Sequence, residues 1–88
     1  MAEHVPVIKL YMKANCPLCE DAKQLLDLLL SKDIRAHYEE IDIYSKDEWL
    51  EKYQLMIPVV EIEGEIVAYG RVDSIELKKR LMQYSLQL

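Results

Sequence analysis

Between Val7 and Ile43 the chain passes from an apolar β-branched run to a helical repeat and back to a strand-like run, and this order leaves few folds open. Val7 to Met12 (Val-Ile-Lys-Leu-Tyr-Met) has few polar interruptions and is bounded by Pro6 and by the turn-forming Ala14-Asn15, which predicts a buried strand. Next, Ala22, Leu25, Leu26, Leu29 and Leu30 recur at spacings of three and four with Asp21, Lys23, Gln24 and Asp27 between them, the pattern of an amphipathic helix. Pro17 suits a first helical turn, and Glu20 and Asp21 suit the positive end of the dipole, so the helix is expected to open near Cys16 and to end near Ser31 to Asp33. Ala36 to Ile43, containing His37, Tyr38, Ile41 and Ile43, is too short for a helix that repays its nucleation, and a second strand is expected. Strands joined in this way are parallel, with a right-handed crossover in about 98% of cases, and the first strand-to-helix turn lies at the carboxyl edge of the sheet.

The remaining pattern is shorter but similar in kind. Ser45-Lys46-Asp47-Glu48 has capping-box spacing and predicts a short helix through Trp49, Leu50 and Tyr53. Val59 to Ile62 and Ile66 to Tyr69, separated by Glu63-Gly64-Glu65, read as a hairpin. Asp73-Ser74-Ile75-Glu76 repeats the cap pattern before a last helix with Leu77, Leu81 and Tyr84 on one face and Lys78, Lys79 and Gln83 on others. At 88 residues, one domain spanning 1–88 is expected. The net charge of −5 has the wrong sign for holding a polyphosphate strand, and no apolar stretch approaches the roughly 20 residues of a membrane span. Neither nucleic acid nor membrane is expected as a partner. No basic-then-apolar leader pattern opens the chain, and a reducing cytoplasm is the expected compartment.

Two cysteines three residues apart, in Cys16-Pro17-Leu18-Cys19, occupy the first strand-to-helix turn. A bridge across two residues closes too short a loop to stabilise much, so stapling is a poor account of the pair. Chemistry is a better one. The thiolate is the nucleophile in disulfide exchange, and a helix amino terminus lowers a thiol pKa through the dipole and the free N–H groups, which makes Cys16 the candidate nucleophile. Cys19, one turn on, is within reach of a mixed disulfide formed on Cys16. Pro17 stiffens the link, and Lys13 could add positive charge beside the thiolate, although a solvated surface lysine accounts for it as well. Zinc would need two further ligands, and His4 and His37 are not spaced as a second pair. Both histidines are expected to have no chemical role, His37 as a satisfied structural side chain. Trp49 and the six tyrosines are expected mostly in packing and not as a binding platform.

With these residues in view, the chain resembles the glutaredoxin branch of the thioredoxin superfamily over nearly its whole length. The likeness is carried by Leu10-Tyr-Met-Lys-Ala-Asn-Cys-Pro-Leu-Cys19, by Tyr38-Glu-Glu-Ile-Asp-Ile43, and by Ile57-Pro-Val-Val60 with Ile62-Glu-Gly64. Leu18 stands where an aromatic residue is usual. The resemblance implies a cis Pro58 facing the cysteines and presenting the amide and carbonyl of Ile57 to an extended substrate backbone. Ala68-Tyr-Gly-Arg-Val-Asp73 lacks the Gly-Gly of glutathione-using members. It is closer to small bacterial glutaredoxin-like proteins with a Cys-x-x-Cys-Glu-Asp-Ala helix start and a Gly-Arg-x-Asp turn, which Cys19-Glu-Asp-Ala22 and Gly70-Arg-Val-Asp73 match. Arg71 could pair with a substrate carboxylate or, equally, with Asp73.

The implied fold is an α/β thioredoxin fold, with a four-stranded mixed sheet in the order 2-1-3-4 and helices on both faces. The implied activity is thiol–disulfide oxidoreduction, with Cys16 attacking and Cys19 resolving. Lys13, Pro17, Leu18, Ile57, Pro58, Gly70 and Arg71 are the expected substrate-contacting positions. A monomer with no tightly bound cofactor and no metal is expected, acting on disulfide-bearing proteins and re-reduced by glutathione or a thioredoxin-type reductase. Two alternatives remain beside this reading: a non-enzymatic binding or redox-sensor module on the same fold, and an iron–sulfur cluster bridged between two copies.

Overall fold

The computed structural model describes residues 5–30 and 35–85. Its elements are β1 (Val7–Met12), α1 (Pro17–Leu30), β2 (His37–Asp42), a 3-10 turn (Ile43–Ser45), α2 (Asp47–Tyr53), β3 (Val59–Ile62), β4 (Glu65–Tyr69) and α3 (Ser74–Ser85). The sheet order is β2-β1-β3-β4. β1 pairs parallel with β2, from Val7 opposite His37 to Met12 opposite Asp42, and antiparallel with β3, where Tyr11 faces Val59. The expected end of the first helix, Ser31 to Asp33, lies outside the described residues, as does His4.

Alternation along the strands divides the core between the two faces of the sheet. Ile8 and Leu10 of β1 and Val60 and Ile62 of β3 face α1 and α3, where they meet Ala22, Leu26, Leu77 and Leu81. The helical spacing of four in each of those pairs is what lets one stripe of each helix reach the sheet. Tyr11 and Val59 point the other way and pack with Ile43 and Tyr53 beneath α2. The rings of Tyr11 and Tyr53 lie 4.5 Å apart, and Trp49 meets Tyr11 edge-on at 5.8 Å. Helices thus cover both faces.

Chain reversal between β3 and β4 takes two residues with positive φ, Glu63 at 52° and Gly64 at 83°. That combination is the two-residue turn whose twist matches a hairpin, and glycine adopts it without a Cβ penalty. Val7 N–H donates to the Glu63 carboxylate at 2.7 Å, and Glu63 N–H to the Val7 carbonyl at 2.9 Å, which fastens the turn to the start of β1. At the start of β4, just after this turn, α3 is held to the sheet by Glu65, which accepts from Arg80 at 3.1 Å and from the Tyr84 hydroxyl.

Two local expectations are corrected. Ser45 does not cap α2. The residue preceding that helix is Lys46, which makes no side-chain cap bond. The Ser45 hydroxyl instead donates back to the Asp42 carbonyl, while the Asp42 carboxylate accepts from Tyr44 N–H, so the polar groups that read as a forward cap serve the preceding 3-10 turn. His37 is exposed at the start of β2 and is not a packed structural histidine. The second cap pattern does hold, since the Asp73 carboxylate accepts from Ile75 N–H at 2.9 Å at the head of α3.

Leu26 is fully buried between α1 and the sheet. Leu26→Ala is therefore expected to cost about 2–5 kcal/mol in a urea titration, whereas Met82→Ala, on an exposed position of α3, should stay within about 0.5 kcal/mol.

Candidate functional site

Strand direction brings the chemistry together. β1 and β2 run parallel and end at one edge, β3 begins at that edge, and β4, antiparallel to β3, ends there. Consequently the loop 13–16, the residues after Asp42, the segment Ile57-Pro58 and the turn at Gly70-Arg71 all lie at a single end of the sheet.

Cys16 is the residue immediately before α1, and Pro17 is its first helical residue. Proline fits there because the missing N–H would have had no helical partner. Asn15, at a φ of 56°, makes the tight reversal that turns the chain into the helix. Glu20 N–H donates to the Cys16 carbonyl at 3.0 Å, the first bond of the helix, and Cys19 N–H donates to Cys16 Sγ at 3.2 Å. The sulfur thus stands where a capping oxygen usually stands, against the positive end of α1. Cys16 and Cys19 are joined as a disulfide with their Cα atoms 5.2 Å apart. Their exposure differs: Cys19 is fully buried against the core, and Cys16 is half-buried at the surface.

The Ile57–Pro58 peptide is cis. Pro58 is buried, and the backbone around it is tied in three places. Met56 and Ile57 N–H both donate to the Tyr53 carbonyl, at 2.8 and 3.1 Å, and Gly70 N–H is shared between the carbonyls of Met56 at 2.9 Å and Pro58 at 2.8 Å. Gly70 has a φ of 70°, which favours glycine at the point where β4 must hand over to α3. The expectation that Ile57 offers both backbone groups to a substrate is therefore corrected. Its amide is already committed to Tyr53, because the end of α2 runs straight into this turn, whereas its carbonyl accepts no hydrogen bond among the described residues.

Lys13 is half-buried and lines a shallow groove of about 280 Å³ with Met12, Ala14, Glu40 and Asp42, forming no ion pair among the described residues. Arg71 is exposed, and the ion pair with Asp73 does not form; Asp73 is occupied as the cap of α3. Arg71, Asp73 and Glu76 instead line a second groove of about 290 Å³ beside Ile66 to Tyr69, which the cysteines do not reach. Among the described residues, no three His, Cys, Asp or Glu side chains come together as a metal site, and no helix is long and apolar enough to cross a membrane.

The alignment of fold and motif has counterparts among known proteins. Residues 7–82 match the model of the glutaredoxin-like domain (DUF836). The chain belongs to that family. Among solved structures, a protein of unknown function from Staphylococcus aureus is 22% identical, with a TM-score of 0.69 over 96% of this chain and 94% of the other. A thioredoxin from Halobacterium salinarum, solved as a point mutant, superposes with a TM-score of 0.69 at 20% identity, covering 91% of this chain and 74% of its own. The thioredoxin-like protein BC3987, also solved as a point mutant, is 30% identical over 86% of this chain and 94% of its own, with a TM-score of 0.60. A thioredoxin-type fold bearing a Cys-x-x-Cys pair supports a redox-type function for this member of the family.

Sequence reasoning missed the role of Tyr53. Its ring anchors the cluster under α2 while its carbonyl holds the two amides ahead of Pro58, and no side-chain pattern announces a backbone acceptor. Burial pushes the Tyr11 phenol up to about 12, with the carboxylate of Glu61, the Tyr53 phenol and the carboxylates of Glu39 and Glu48 adding to the effect. Because the unfolded chain releases this proton near pH 10 and the folded one near 12, stability contributed by the neutral phenol is present below pH 10 and lost as pH rises. The expected loss is about 1.4 kcal/mol per pH unit across that window, and Tyr11→Phe should flatten that part of the stability–pH curve. For the reduced pair, iodoacetamide is expected to label Cys16 at least about tenfold faster than Cys19 near neutral pH, as read by peptide mass spectrometry.

Proposed function

We propose that this protein is a thiol–disulfide oxidoreductase that carries electrons between protein or small-thiol disulfides and a cellular reductant. One observation carries the reading: two sulfurs in a single helical turn, one half-exposed at the positive end of α1 and the other fully buried behind it. This asymmetry gives the two cysteines different tasks.

In the reduced form, the Cys16 thiolate attacks one sulfur of a substrate disulfide, forming a mixed disulfide and releasing the other substrate sulfur as a thiolate that takes up a proton. Cys19, as its thiolate, then attacks Cys16 Sγ, closes the intramolecular disulfide and releases the second substrate thiol. Two electrons and two protons pass to the substrate, and the Cys16–Cys19 disulfide remains. The Cys19 N–H that donates to Cys16 Sγ would stabilise the Cys16 thiolate that opens the cycle, since helix and donor are already in place. The carbonyl of Ile57, without a donor among the described residues and at the same end of the sheet, can accept a backbone N–H from an extended substrate. Return to the dithiol takes two electrons from glutathione or from a thioredoxin-type reductase.

Cys19→Ser is expected to accumulate a mixed disulfide on Cys16 when the reduced variant meets an oxidised peptide, and Cys16→Ser should form none at that position. Mass spectrometry under non-reducing conditions checks both. Adducts confined to Cys19 would reverse the assignment, and a failure of either reductant class to regenerate the dithiol would leave a binding or sensing module in place of a carrier. Redox titration should place the pair within or near the roughly −270 to −200 mV spanned by thioredoxins and glutaredoxins.

A further inference from the structure

The redox end of the sheet exposes apolar surface that the fold does not use. Leu55 is 95% exposed, Ile75 71%, Tyr44 62% and Tyr69 60%. They come from different connections: Tyr44 from the turn after β2, Leu55 from the turn after α2, Tyr69 from the end of β4 and Ile75 from the first turn of α3. All of these connections meet the sheet at the edge that carries the disulfide, where Leu18, 38% exposed, adds a side chain from α1. Scattered exposed leucines need no explanation, but a concentration at one end does.

The charge at this end is uneven as well. Glu20 and Asp21 follow Leu18, Asp47 and Glu48 open α2, and Asp73 and Glu76 flank Ile75, all of them exposed. Cations are fewer there: Lys13 and Arg71 stand at this end without an ion pair among the described residues, and Lys46 and Lys52 are drawn onto the protein's own rings, 4.7 Å from the Trp49 centroid and 5.2 Å from that of Tyr53. Lys78, Lys79 and Arg80 sit further along α3, away from the edge where that helix begins.

We propose that this rim docks an extended polypeptide that is apolar and basic beside its disulfide. The inference rests on the thiol–disulfide reading and names the substrate class for that site. An apolar rim is matched by apolar side chains, and a surrounding excess of carboxylates selects cations and repels acidic partners, a second copy of this acidic rim included. The docking surface is preorganised, since the turn bearing Leu55 is held by the bonds of Met56 and Ile57 N–H to Tyr53 and of Gly70 N–H to Met56. During the reaction Cys16 and Cys19 are oxidised to the disulfide and the docked disulfide is reduced to two thiols.

The test uses the full chain, reduced beforehand and freed of reductant, and three cyclic disulfide peptides with the same apolar residues. Their flanks carry lysine, glutamine or glutamate, and acid-quenched samples give second-order oxidation rates. The lysine-flanked peptide is expected to react about tenfold or more faster than the glutamate-flanked one at low salt, with the ratio collapsing toward one near 0.5 M NaCl as screening sets in. Leu55→Ser should slow the lysine-flanked peptide severalfold with an unchanged circular dichroism spectrum. Equal rates for the three peptides, or no effect of Leu55→Ser, would overturn the inference while leaving oxidoreduction standing. If none of the peptides oxidises the pair, the proposed function fails and the docking inference with it.

Discussion

The pairing of β1 with both neighbours is the constraint on which the remaining architecture depends. Because β2 runs parallel to β1, the chain must cross over through α1, and because β3 runs antiparallel, it must start where β1 ends. The amino terminus of α1 and the cis Pro58 segment are therefore delivered to the same edge by topology, before any side chain is chosen. The side chains then fix the alignment: Ile8, Leu10, Val60 and Ile62 bury one face, and a slip of one residue in either strand would turn its pair to the opposite face, away from α1 and α3. Register and active edge are one decision.

The elements that could be read from sequence were those whose periodicity agreed with their burial. Val7–Met12 and Val59–Ile62 form strands over the predicted residues because their apolar character serves both faces of a covered sheet. The helix after Cys16 was equally legible, since Pro17 and the Ala22–Leu26 stripe report its start and its buried face independently. What sequence misplaced was the choice among competing polar partners. Ser45 reads as a cap in isolation, yet Asp42, three residues earlier, gathers Tyr44 N–H with its carboxylate and the Ser45 hydroxyl with its carbonyl, and the helix begins without a side-chain cap. Arg71 and Asp73 are similarly close in sequence, but capping α3 takes the carboxylate away from that ion pair.

The candidate site shows the same division between what pattern reveals and what it hides. Cys-Pro-Leu-Cys at a strand-to-helix turn is visible because its chemistry depends on local position. The commitment of the Ile57 amide is not, because it arises when the end of α2 continues directly into the turn before Pro58, so that one carbonyl on Tyr53 takes two amides. Backbone groups have no letter in a sequence. Only the path of the chain shows which are spent within the protein and which, like the Ile57 carbonyl, accept no bond among the described residues.

The two sulfurs differ in what holds them. Cys19 is buried because it lies in the first turn of a helix that packs its Ala22–Leu26 stripe on the sheet, so its position is set by the core. Cys16 precedes the helix and is held from both sides, by the turn through Asn15 and by the bonds from Glu20 N–H to its carbonyl and from Cys19 N–H to its sulfur. The fold therefore seats Cys19 in the core and leaves Cys16 half-buried where helix and loop meet. Lys13 and Leu18 lie outside that core, so a substitution at either can reshape the surroundings of Cys16 at little cost to the packing that holds Cys19.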